Sequence, residues 1–336
     1  MSKLVLFSLL GVAILVAVPI LASWYVRGWV AKYDSPSYSF DHIPDQTGKF
    51  VVVTGGNTGI GKVTVRELAR KGAHVVLASR GMDRGEAAKN DICSAIAPLP
   101  CNVEVMQLDL ASLASVESFA SKISRVDTLI LNAGIMACPY KETTDGIEMQ
   151  FGTNHLGHFY LVDQLMPMLE ASNARVVTVS SNAHEHSYSE GIRFNQLTNN
   201  HNYDLAAAYG QSKLANILFS NELSHRAKAR GSGITANSLH PGFIVTDLMR
   251  HIQAQVQDFG DVAALLWGLG EQWIFSAAMN ADDGALTQLY VATAPELANV
   301  SGKYFQPIAK EGTPIALSSD RELQRRLWEE SERLVQ

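Results

Sequence analysis

The chain has 336 residues, of which 47% are hydrophobic, so it can bury a substantial core, and intrinsic disorder is excluded for most of its length. Its 33 acidic and 27 basic residues give a formal net charge of -6, which argues against a broad basic face for the phosphate backbone of nucleic acid. We therefore expect no nucleic-acid partner.

The first predicted element is an N-terminal membrane helix. Residues 4–26 carry no charged side chain, and about 20 apolar residues suffice for a helix to cross a bilayer core. Trp24 and Tyr25 lie at its far end, where aromatic side chains favour the membrane interface. A cleaved signal peptide is the alternative, although its apolar region normally has about 7 to 15 residues. We expect residues 1–27 to be an anchor, in an orientation that the flanking basic residues leave open.

A soluble domain is predicted to follow the anchor. Residues 28–48 are mixed and polar, contain Pro36 and Pro44 and show no apolar period, which is typical of a tether. From residue 49 onwards, β-branched runs alternate with helix-length segments. We therefore expect a single domain over residues 49–336.

The order of strands and helices predicts the fold class. A β-branched run at residues 50–54, a helix at 60–71 and a second strand at 74–78 form a βαβ unit. Further strands are predicted at residues 103–107, 128–131, 175–179 and 235–239. This alternation favours an α/β fold, in which a doubly wound, mostly parallel Rossmann sheet carries helices on both faces.

The turn between the first strand and the first helix is rich in glycine. Residues 54–61 are Thr-Gly-Gly-Asn-Thr-Gly-Ile-Gly. Glycine lets the backbone turn tightly and approach a pyrophosphate, whose charge then lies at the positive N-terminus of the helix. A plain strand-to-helix loop is the alternative, and the βαβ context favours the dinucleotide site. The candidate binding residues are Gly55, Asn57, Thr58, Gly59, Ile60 and Gly61.

The end of the second strand bears on the choice of dinucleotide. An NAD site presents a carboxylate to the ribose 2′-hydroxyl at this position, but the sequence here is Ser79-Arg80. The guanidinium of Arg80 suits the 2′-phosphate of NADP because its fork matches phosphate oxygens, and a solvated surface charge is the alternative. We expect NADP(H) to be preferred over NAD(H).

A tyrosine and a lysine lie one helical turn apart near the middle of the chain. Tyr209 and Lys213 open a segment with helical apolar spacing, so both side chains lie on one face. A tyrosine with a pKa of about 10 is a poor base at neutral pH, and a neighbouring ammonium lowers that pKa. Upstream, Ser180-Ser181 ends a strand at the sheet edge where ligands bind. A surface Tyr-Lys pair and an ordinary strand-end serine are the alternatives.

Cysteine and histidine usage predicts neither a disulfide framework nor a metal site. Three cysteines, Cys93, Cys101 and Cys138, are too few and irregular for a framework, so we expect reduced thiols, with a Cys93–Cys101 bridge as the alternative. The run of residues 184–186, His-Glu-His, lacks a third ligand at a recognisable spacing, so we expect a solvated loop there and no metal.

Taken together, these motifs resemble the short-chain dehydrogenase/reductase family over roughly residues 49–307. The resemblance rests on the glycine-rich turn, Asn132-Ala133-Gly134, Ser181, the Tyr209–Lys213 spacing and Pro241-Gly242. Residues 153–159, 209–218 and 238–242 further resemble the branch that contains the retinol dehydrogenases, the WW-domain oxidoreductase and the chloroplast-envelope dehydrogenases.

The resemblance implies a catalytic set. Tyr209 would donate or accept the proton, and Lys213 would lower the tyrosine pKa and bind the nicotinamide ribose. Ser181 would orient the substrate carbonyl, and Asn154 would support a proton-relay water.

The resemblance also implies further cofactor contacts. Asp109 and Leu110 would lie beside the adenine, and the triplet Asn132, Ala133 and Gly134 would brace the cofactor pocket. The nicotinamide carboxamide would be held by Pro241, Gly242 and Thr246.

An apolar segment at residues 243–280 is the expected substrate cover, with an ordinary core or a dimer face as the alternative. Together with the anchor, it predicts an enzyme that interconverts a lipophilic alcohol and its aldehyde or ketone. The resemblance favours the endoplasmic reticulum membrane and leaves the chloroplast envelope, another organelle and a homodimer open. A membrane-tethered NADP-binding regulator or assembly protein with little turnover is the alternative function.

Overall fold

Eight strands form one sheet in the parts of the chain that the computed structural model describes, residues 38–244 and 278–336. The strands are β1 Phe50–Thr54, β2 His74–Ser79, β3 Val103–Gln107, β4 Thr128–Leu131, β5 Arg175–Val179, β6 Thr235–Leu239, β7 Tyr304–Gln306 and β8 Lys310–Glu311. Their order is β3-β2-β1-β4-β5-β6-β7-β8, with β1 to β7 parallel and β8 antiparallel to β7.

Helices cover both faces of this sheet. They are α1 Gly59–Arg70, α2 Met82–Ile96, α3 Leu113–Ala120, α4 Gly157–Ala171, α5 Leu205–Ala229, α6 Ala281–Thr293 and α7 Arg321–Leu334. Buried side chains of α1, α2 and α6 form the core on one face, and those of α3, α4, α5 and α7 form the core on the other. The predicted doubly wound α/β fold is confirmed.

The β-branched run of β1 explains its central place. Val51, Val52 and Val53 are each fully buried, because successive side chains of a strand point to opposite faces and both faces carry helices. Val51 and Val53 lie in one core and Val52 lies in the other. A continuous apolar run is therefore what a strand at this position needs.

The strand order places a crevice between β1 and β4. The chain moves outward from β1 through β2 to β3 and then returns to add β4 on the other side of β1. Ligands of doubly wound sheets bind where the strand order reverses, beyond the carboxyl ends of the strands. Thr54 and Leu131 end the two strands at this point.

The predicted strands agree closely with the observed ones, and the helices differ more. Strand β2 extends one residue beyond its prediction, to Ser79. Helix α5 begins at Leu205, before Tyr209, because the Asp204 side chain accepts hydrogen bonds from the amides of Ala206 and Ala207. Helices α6 and α7 and strands β7 and β8 were not predicted.

The predicted anchor, the first ten residues of the tether and most of the 243–280 segment lie outside the described residues. Within residues 38–244 and 278–336, no helix is long and apolar enough to cross a membrane. The end of the predicted tether packs on the domain: Tyr38 and Ile43 are buried in the core that α6 helps to form. The Tyr38 hydroxyl donates to Thr293 Oγ1 at 3.1 Å, since Thr293 donates to the Leu289 carbonyl.

The expectation of reduced thiols is wrong for two of the three cysteines. Cys93 near the end of α2 and Cys101 before β3 form a disulfide, the alternative that the sequence left open. The chain reverses between the helix and the strand, which brings the two Cα atoms to 5.3 Å. Cys138 is a free, buried thiol, and burial raises its pKa to about 11.

Candidate active site

The four predicted catalytic residues meet at the carboxyl edge of the sheet. Ser181 follows β5, Tyr209 and Lys213 lie one turn apart on α5, and Asn154 lies in a π-helical turn, Gly152–Leu156, that leads into α4. Tyr209 and Lys213 are only 6% and 3% exposed, so the alternative of a surface pair is wrong.

Ser181, rather than Ser180, faces the tyrosine. The Ser180 hydroxyl donates to the Lys213 carbonyl at 2.7 Å and so ties β5 to α5. The Ser181 side chain lies close enough to the Tyr209 side chain to lower the tyrosine pKa through hydrogen bonding, and its Oγ accepts from the Ala183 amide at 3.2 Å. Two hydroxyl groups therefore stand together where a carbonyl oxygen of a substrate can contact both.

Burial dominates the acidity of Tyr209. Loss of hydration raises the pKa of Tyr209 to about 12, and the hydrogen bond from Ser181 offsets part of this rise. The sequence led us to expect that Lys213 lowers the Tyr209 pKa. Burial instead disfavours the charged forms of Tyr209 and Lys213, so the Tyr209 pKa lies above its ordinary value.

Lys213 lies beside the tyrosine ring and is itself perturbed. Its Nζ donates to the Val179 carbonyl at 3.2 Å and lies 5.7 Å from the centre of the Tyr209 ring. Burial lowers the pKa of Lys213 to about 8. An ammonium with such a pKa can release and regain its proton near neutral pH.

Asn154 fixes the loop that follows β4. Its Oδ1 accepts from the Ile135 amide at 2.8 Å, and its Nδ2 donates to the Ile135 carbonyl and to Ser212 Oγ, both at 2.9 Å. A β-carbon added to Gly134 would lie 3.3 Å from Asn154 Oδ1 and 3.4 Å from Lys213 Nζ. The predicted Asn-Ala-Gly triplet and the catalytic groups therefore form one site.

The glycine-rich turn has close backbone contacts that a side chain would prevent. Helix α1 begins at Gly59, and Thr58 at its N-cap makes no side-chain capping hydrogen bond. Gly55 has a φ of 65°, and a β-carbon on Gly61 would collide with the Gly55 carbonyl. The turn places the N-terminus of α1 directly after β1, and a helix N-terminus stabilises a pyrophosphate.

Asn132 and Thr54 link this turn to β4. Thr54 Oγ1 accepts from the amides of Asn132 and Ala133 at 2.9 and 3.0 Å, and Asn132 Nδ2 donates to the Thr54 carbonyl at 2.8 Å. Asn132 Oδ1 is buried without a hydrogen-bond partner among the described residues. An unpaired acceptor in the predicted cofactor pocket fits a polar group of a bound nicotinamide dinucleotide.

His158 is a residue of this site that the sequence analysis did not single out. Its Nδ1 donates to the Asn154 carbonyl at 3.0 Å, so its Nε2 accepts the Thr54 hydroxyl proton at 2.9 Å. Burial lowers the pKa of His158 to about 4, which keeps the ring neutral. The histidine thus joins the dinucleotide turn to the Asn154 turn, and its pairing with Thr54 spans too much sequence for a local pattern to reveal.

Two arginines stand near the end of β2. Arg80 is exposed, and the Arg84 guanidinium lies over the same turn, with its Nε 3.3 Å from a β-carbon added to Gly81. Neither side chain forms an ion pair within residues 38–244 and 278–336. Two unpaired cations at this place fit a phosphate group.

The remaining predicted cofactor residues are divided. Asp109 Oδ1 accepts from the Ala111 amide at 3.0 Å, and Leu110 is buried in the core that α3 and α4 help to form. Gly242 follows Pro241 with a φ of 97° and donates its amide to His240 Nδ1 at 3.2 Å. Thr246 lies outside the described residues.

The prediction of a solvated loop at residues 184–186 is wrong for its first member. His184 is 1% exposed, whereas Glu185 and His186 are exposed. No group of three or more histidine, cysteine or acidic side chains is placed to hold a metal ion in the described part of the chain.

Comparisons with known proteins agree with this geometry. A family model described as short chain dehydrogenase matches residues 49–195. Retinol dehydrogenase 13 of Homo sapiens is 46% identical over 295 residues, covering 86% of this chain and 85% of that protein. The chloroplastic short-chain dehydrogenase TIC 32 A of Brassica napus is 38% identical over 318 residues, covering 90% and 94%. A crystal structure of an uncharacterised protein from Mycobacterium paratuberculosis superposes with a TM-score of 0.69 at 36% identity, covering 89% of this chain and 97% of that one.

Proposed function

The chain belongs to the short-chain dehydrogenase/reductase family, and from this premise we propose that it is an NADP(H)-dependent oxidoreductase that interconverts a lipophilic alcohol and its aldehyde or ketone. The family supports an oxidoreductase that acts on CH–OH groups with a nicotinamide cofactor. The observation that carries the proposal is the convergence of Ser181, Tyr209, Lys213 and Asn154 at the edge of the sheet.

In this proposal the nicotinamide, when bound, supplies the hydride for reduction and accepts it in oxidation. Tyr209 donates its phenolic proton to the carbonyl oxygen as that oxygen gains negative charge, and Ser181 donates a hydrogen bond to the same oxygen. The product is the alcohol, and Tyr209 is left as a phenolate. In oxidation the phenolate takes the hydroxyl proton, so each direction is balanced.

The phenolate needs stabilisation and a new proton. Lys213 carries the nearby positive charge, and its lowered pKa of about 8 suits a group that passes a proton onward. Asn154 holds the adjoining loop through both polar groups of Ile135 and keeps this corner of the site fixed. We assign Asn154 the support of the relay water.

The preference for NADP(H) is supported by charge at the end of β2. Arg80 and Arg84 present two guanidinium groups, and the turn between β2 and α2 carries no carboxylate at Ser79, Arg80 or Gly81. Replacement of Arg80 and Arg84 by Gln is expected to weaken NADPH binding at least tenfold and to leave NADH binding within about twofold, because only NADPH carries the 2′-phosphate. Fluorescence titration of both cofactors measures the two affinities.

The proposal of a lipophilic substrate is supported by one sequence feature and by the relatives. Residues 243–280 include apolar side chains that would line a substrate cover, namely Leu248, Met249, Val262, Leu265, Leu266, Trp267, Trp273, Ile274 and Phe275. The relatives named retinol dehydrogenase act, by that name, on a long apolar alcohol. We propose a substrate of this class and a location at an organelle membrane, with the endoplasmic reticulum ahead of the chloroplast envelope.

The test uses the detergent-solubilised full chain. NADPH and NADH are titrated, and cofactor absorbance is then followed against a panel of lipophilic aldehydes and ketones, with Tyr209→Phe as the control. We expect turnover that needs NADPH and vanishes in the control. NADPH binding without turnover of any panel member would contradict the reductase and favour a tethered NADP-binding regulator.

A further inference from the structure

His184 follows the catalytic serine by three residues and is bonded through both ring nitrogens. Its Nδ1 lies 2.7 Å from the Ser181 carbonyl oxygen, and its Nε2 lies 3.3 Å from the Ile315 amide nitrogen. A carbonyl only accepts and an amide N–H only donates, so Nδ1 carries the proton and Nε2 carries the lone pair. The ring therefore connects the backbone of Ser181 to the C-terminal segment between β8 and α7.

The turn that carries His184 is also held from the other side. Residues Asn182–His186 form a 3₁₀ turn that packs against the first part of α5. A β-carbon added to Gly210 would lie 2.6 Å from the Ala183 carbonyl oxygen, a distance that side chains do not tolerate. The residue after Tyr209 thus allows the serine turn to approach the tyrosine helix directly.

A row of aromatic and imidazole rings leads from His184 to the Pro241–Gly242 turn. The His184 ring meets the Tyr304 ring edge to face, with centres 5.5 Å apart, and Tyr304 stacks on His240 at 5.9 Å. His240 in turn accepts the Gly242 amide. The serine turn and the Pro241–Gly242 turn, which lie on two sides of the site, therefore both contact this row of three rings.

His184 is unsuited to proton transfer with a substrate. It is 1% exposed, and burial lowers its pKa, so the ring stays neutral. Both nitrogens are occupied by backbone groups, and its contact with the serine is through the carbonyl rather than the hydroxyl. Its contribution to the reaction has to act through Ser181.

We propose that His184 is a positioning residue, which holds the Ser181 backbone against the C-terminal segment so that the serine hydroxyl stays in contact with Tyr209. This inference rests on the proposed function, because it assigns His184 a part in the same proton-donating site. The proposal predicts that kcat depends on the hydrogen bond from His184 to the Ser181 carbonyl and not on the hydrogen bond from the Ile315 amide to His184.

Two amide substitutions separate the two bonds. In His184→Asn, the amide nitrogen takes the place of Nδ1 and keeps a donor for the Ser181 carbonyl. In His184→Gln, the longer side chain places its amide near the position of Nε2, so it keeps an acceptor for Ile315 and loses the bond to Ser181. The exposed His186 in the same turn gives the matched control, His186→Asn.

The measurement is kcat and KM for NADPH-dependent reduction of the panel carbonyl that the full chain reduces fastest, together with NADPH affinity. We expect His184→Gln to lower kcat about tenfold with NADPH affinity unchanged, and His184→Asn and His186→Asn to stay within about threefold of the parent. In a Ser181→Ala background, His184→Gln is expected to cause no further loss, because a residue that acts through Ser181 has nothing left to position.

Equal losses in the Asn and Gln proteins, or an additional tenfold loss on top of Ser181→Ala, would overturn the proposal. Crystal structures of the two variants provide a readout that needs no turnover: we expect the serine hydroxyl to leave Tyr209 in the Gln protein and to stay in the Asn protein. A parent chain that reduces no carbonyl would contradict the proposed function alone. An unmoved serine in the Gln protein would contradict the role of His184 alone.

Discussion

Tyr209 experiences two opposing influences on its hydroxyl. Burial favours the neutral phenol, and the hydrogen bond from Ser181 favours the phenolate. Burial is the larger of the two, because the pKa rises to about 12 despite the bond. Reduction, which uses the phenol, and oxidation, which uses the phenolate, should therefore respond differently to pH.

The expected outcome is a rate of alcohol oxidation that rises with pH and a rate of carbonyl reduction that stays nearly constant between about pH 5 and 7, below the Lys213 pKa of about 8. In the free enzyme only a small fraction of Tyr209 is phenolate below its pKa of about 12, and that fraction grows with each unit of pH. Profiles of kcat/KM in both directions measure this. A flat oxidation profile would show that another group is the base.

Thr54 offers a test of the network that joins the dinucleotide turn to Asn154. Thr54→Val keeps the shape but leaves the half-buried amides of Asn132 and Ala133 without an acceptor and the buried His158 Nε2 without a donor, so we expect a loss of about 1 to 3 kcal/mol in the free energy of unfolding and weaker NADPH binding. Thr178→Val is the matched control, since Thr178 is equally buried in β5 and its hydroxyl has no partner among the described residues. Denaturant unfolding should show a lower free energy of unfolding for the Thr54 variant than for the Thr178 variant. Equal free energies for the two variants would refute the role of the Thr54 hydroxyl in this network.

At the scale of residues, the sequence identified the Tyr209 and Lys213 pair because four residues on one helix are a local relation. It did not identify the Thr54–His158 bond or the Ser181–His184–Ile315 bridge. The first joins residues 104 apart, and the second joins residues up to 134 apart, so each exists only after the sheet has formed. The burial of His184 beside the exposed, polar Glu185 and His186 has no local signature.

Among the elements, α5 matters most because it carries both Tyr209 and Lys213. Its first turn depends on Asp204, whose Oδ1 accepts from the Ala206 and Ala207 amides at 2.9 and 2.8 Å. Two of the amides that a helix start leaves without partners are thereby satisfied. The cap lies five residues before the catalytic tyrosine, so it fixes where that turn of helix begins.

Asp204→Ala is expected to lower the free energy of unfolding by about 1 kcal/mol. Asp204→Asn is expected to keep most of this contribution, because asparagine also caps helices well. Thermal unfolding of the three proteins checks the order. Equal stability of the Ala protein and the parent would show that the cap contributes nothing.

The elements that the sequence predicted well are strands β1 to β6, five of which are buried along most or all of their length. Those it missed are of two kinds. Strands β7 and β8 have three and two residues, too short for a period, and they pair with residues far away or across a tight turn. Helix α7 had a signal in Leu323, Leu327 and Leu334 at helical spacing, and its apolar side packs on α5 through Leu327 and Trp328.

For the whole molecule, we propose that the predicted anchor gives the enzyme access to a lipophilic substrate in the membrane. This hypothesis can be tested separately from catalysis. Deletion of residues 1–27 should spare turnover of a soluble surrogate carbonyl and reduce turnover of a substrate dissolved in vesicles, because only the second depends on the membrane. Parallel assays in buffer and with vesicles measure the two rates. Equal losses on both substrates would remove the reason for linking the anchor to substrate supply.

Because Tyr38 packs on the domain, the folded unit begins before residue 49. This matters for producing the domain without its N-terminal segment. The sequence places the start of the domain at residue 49, and a protein trimmed there would lose the Tyr38 ring and Ile43, both buried beside α6. Tyr290, whose ring packs edge to face on Tyr38, would then face water, and each lost apolar side chain removes about 1.5 to 3 kcal/mol of stabilisation. Such a trimmed protein should unfold at a lower denaturant concentration than one that starts just before Tyr38, and denaturant unfolding of the two proteins measures the difference.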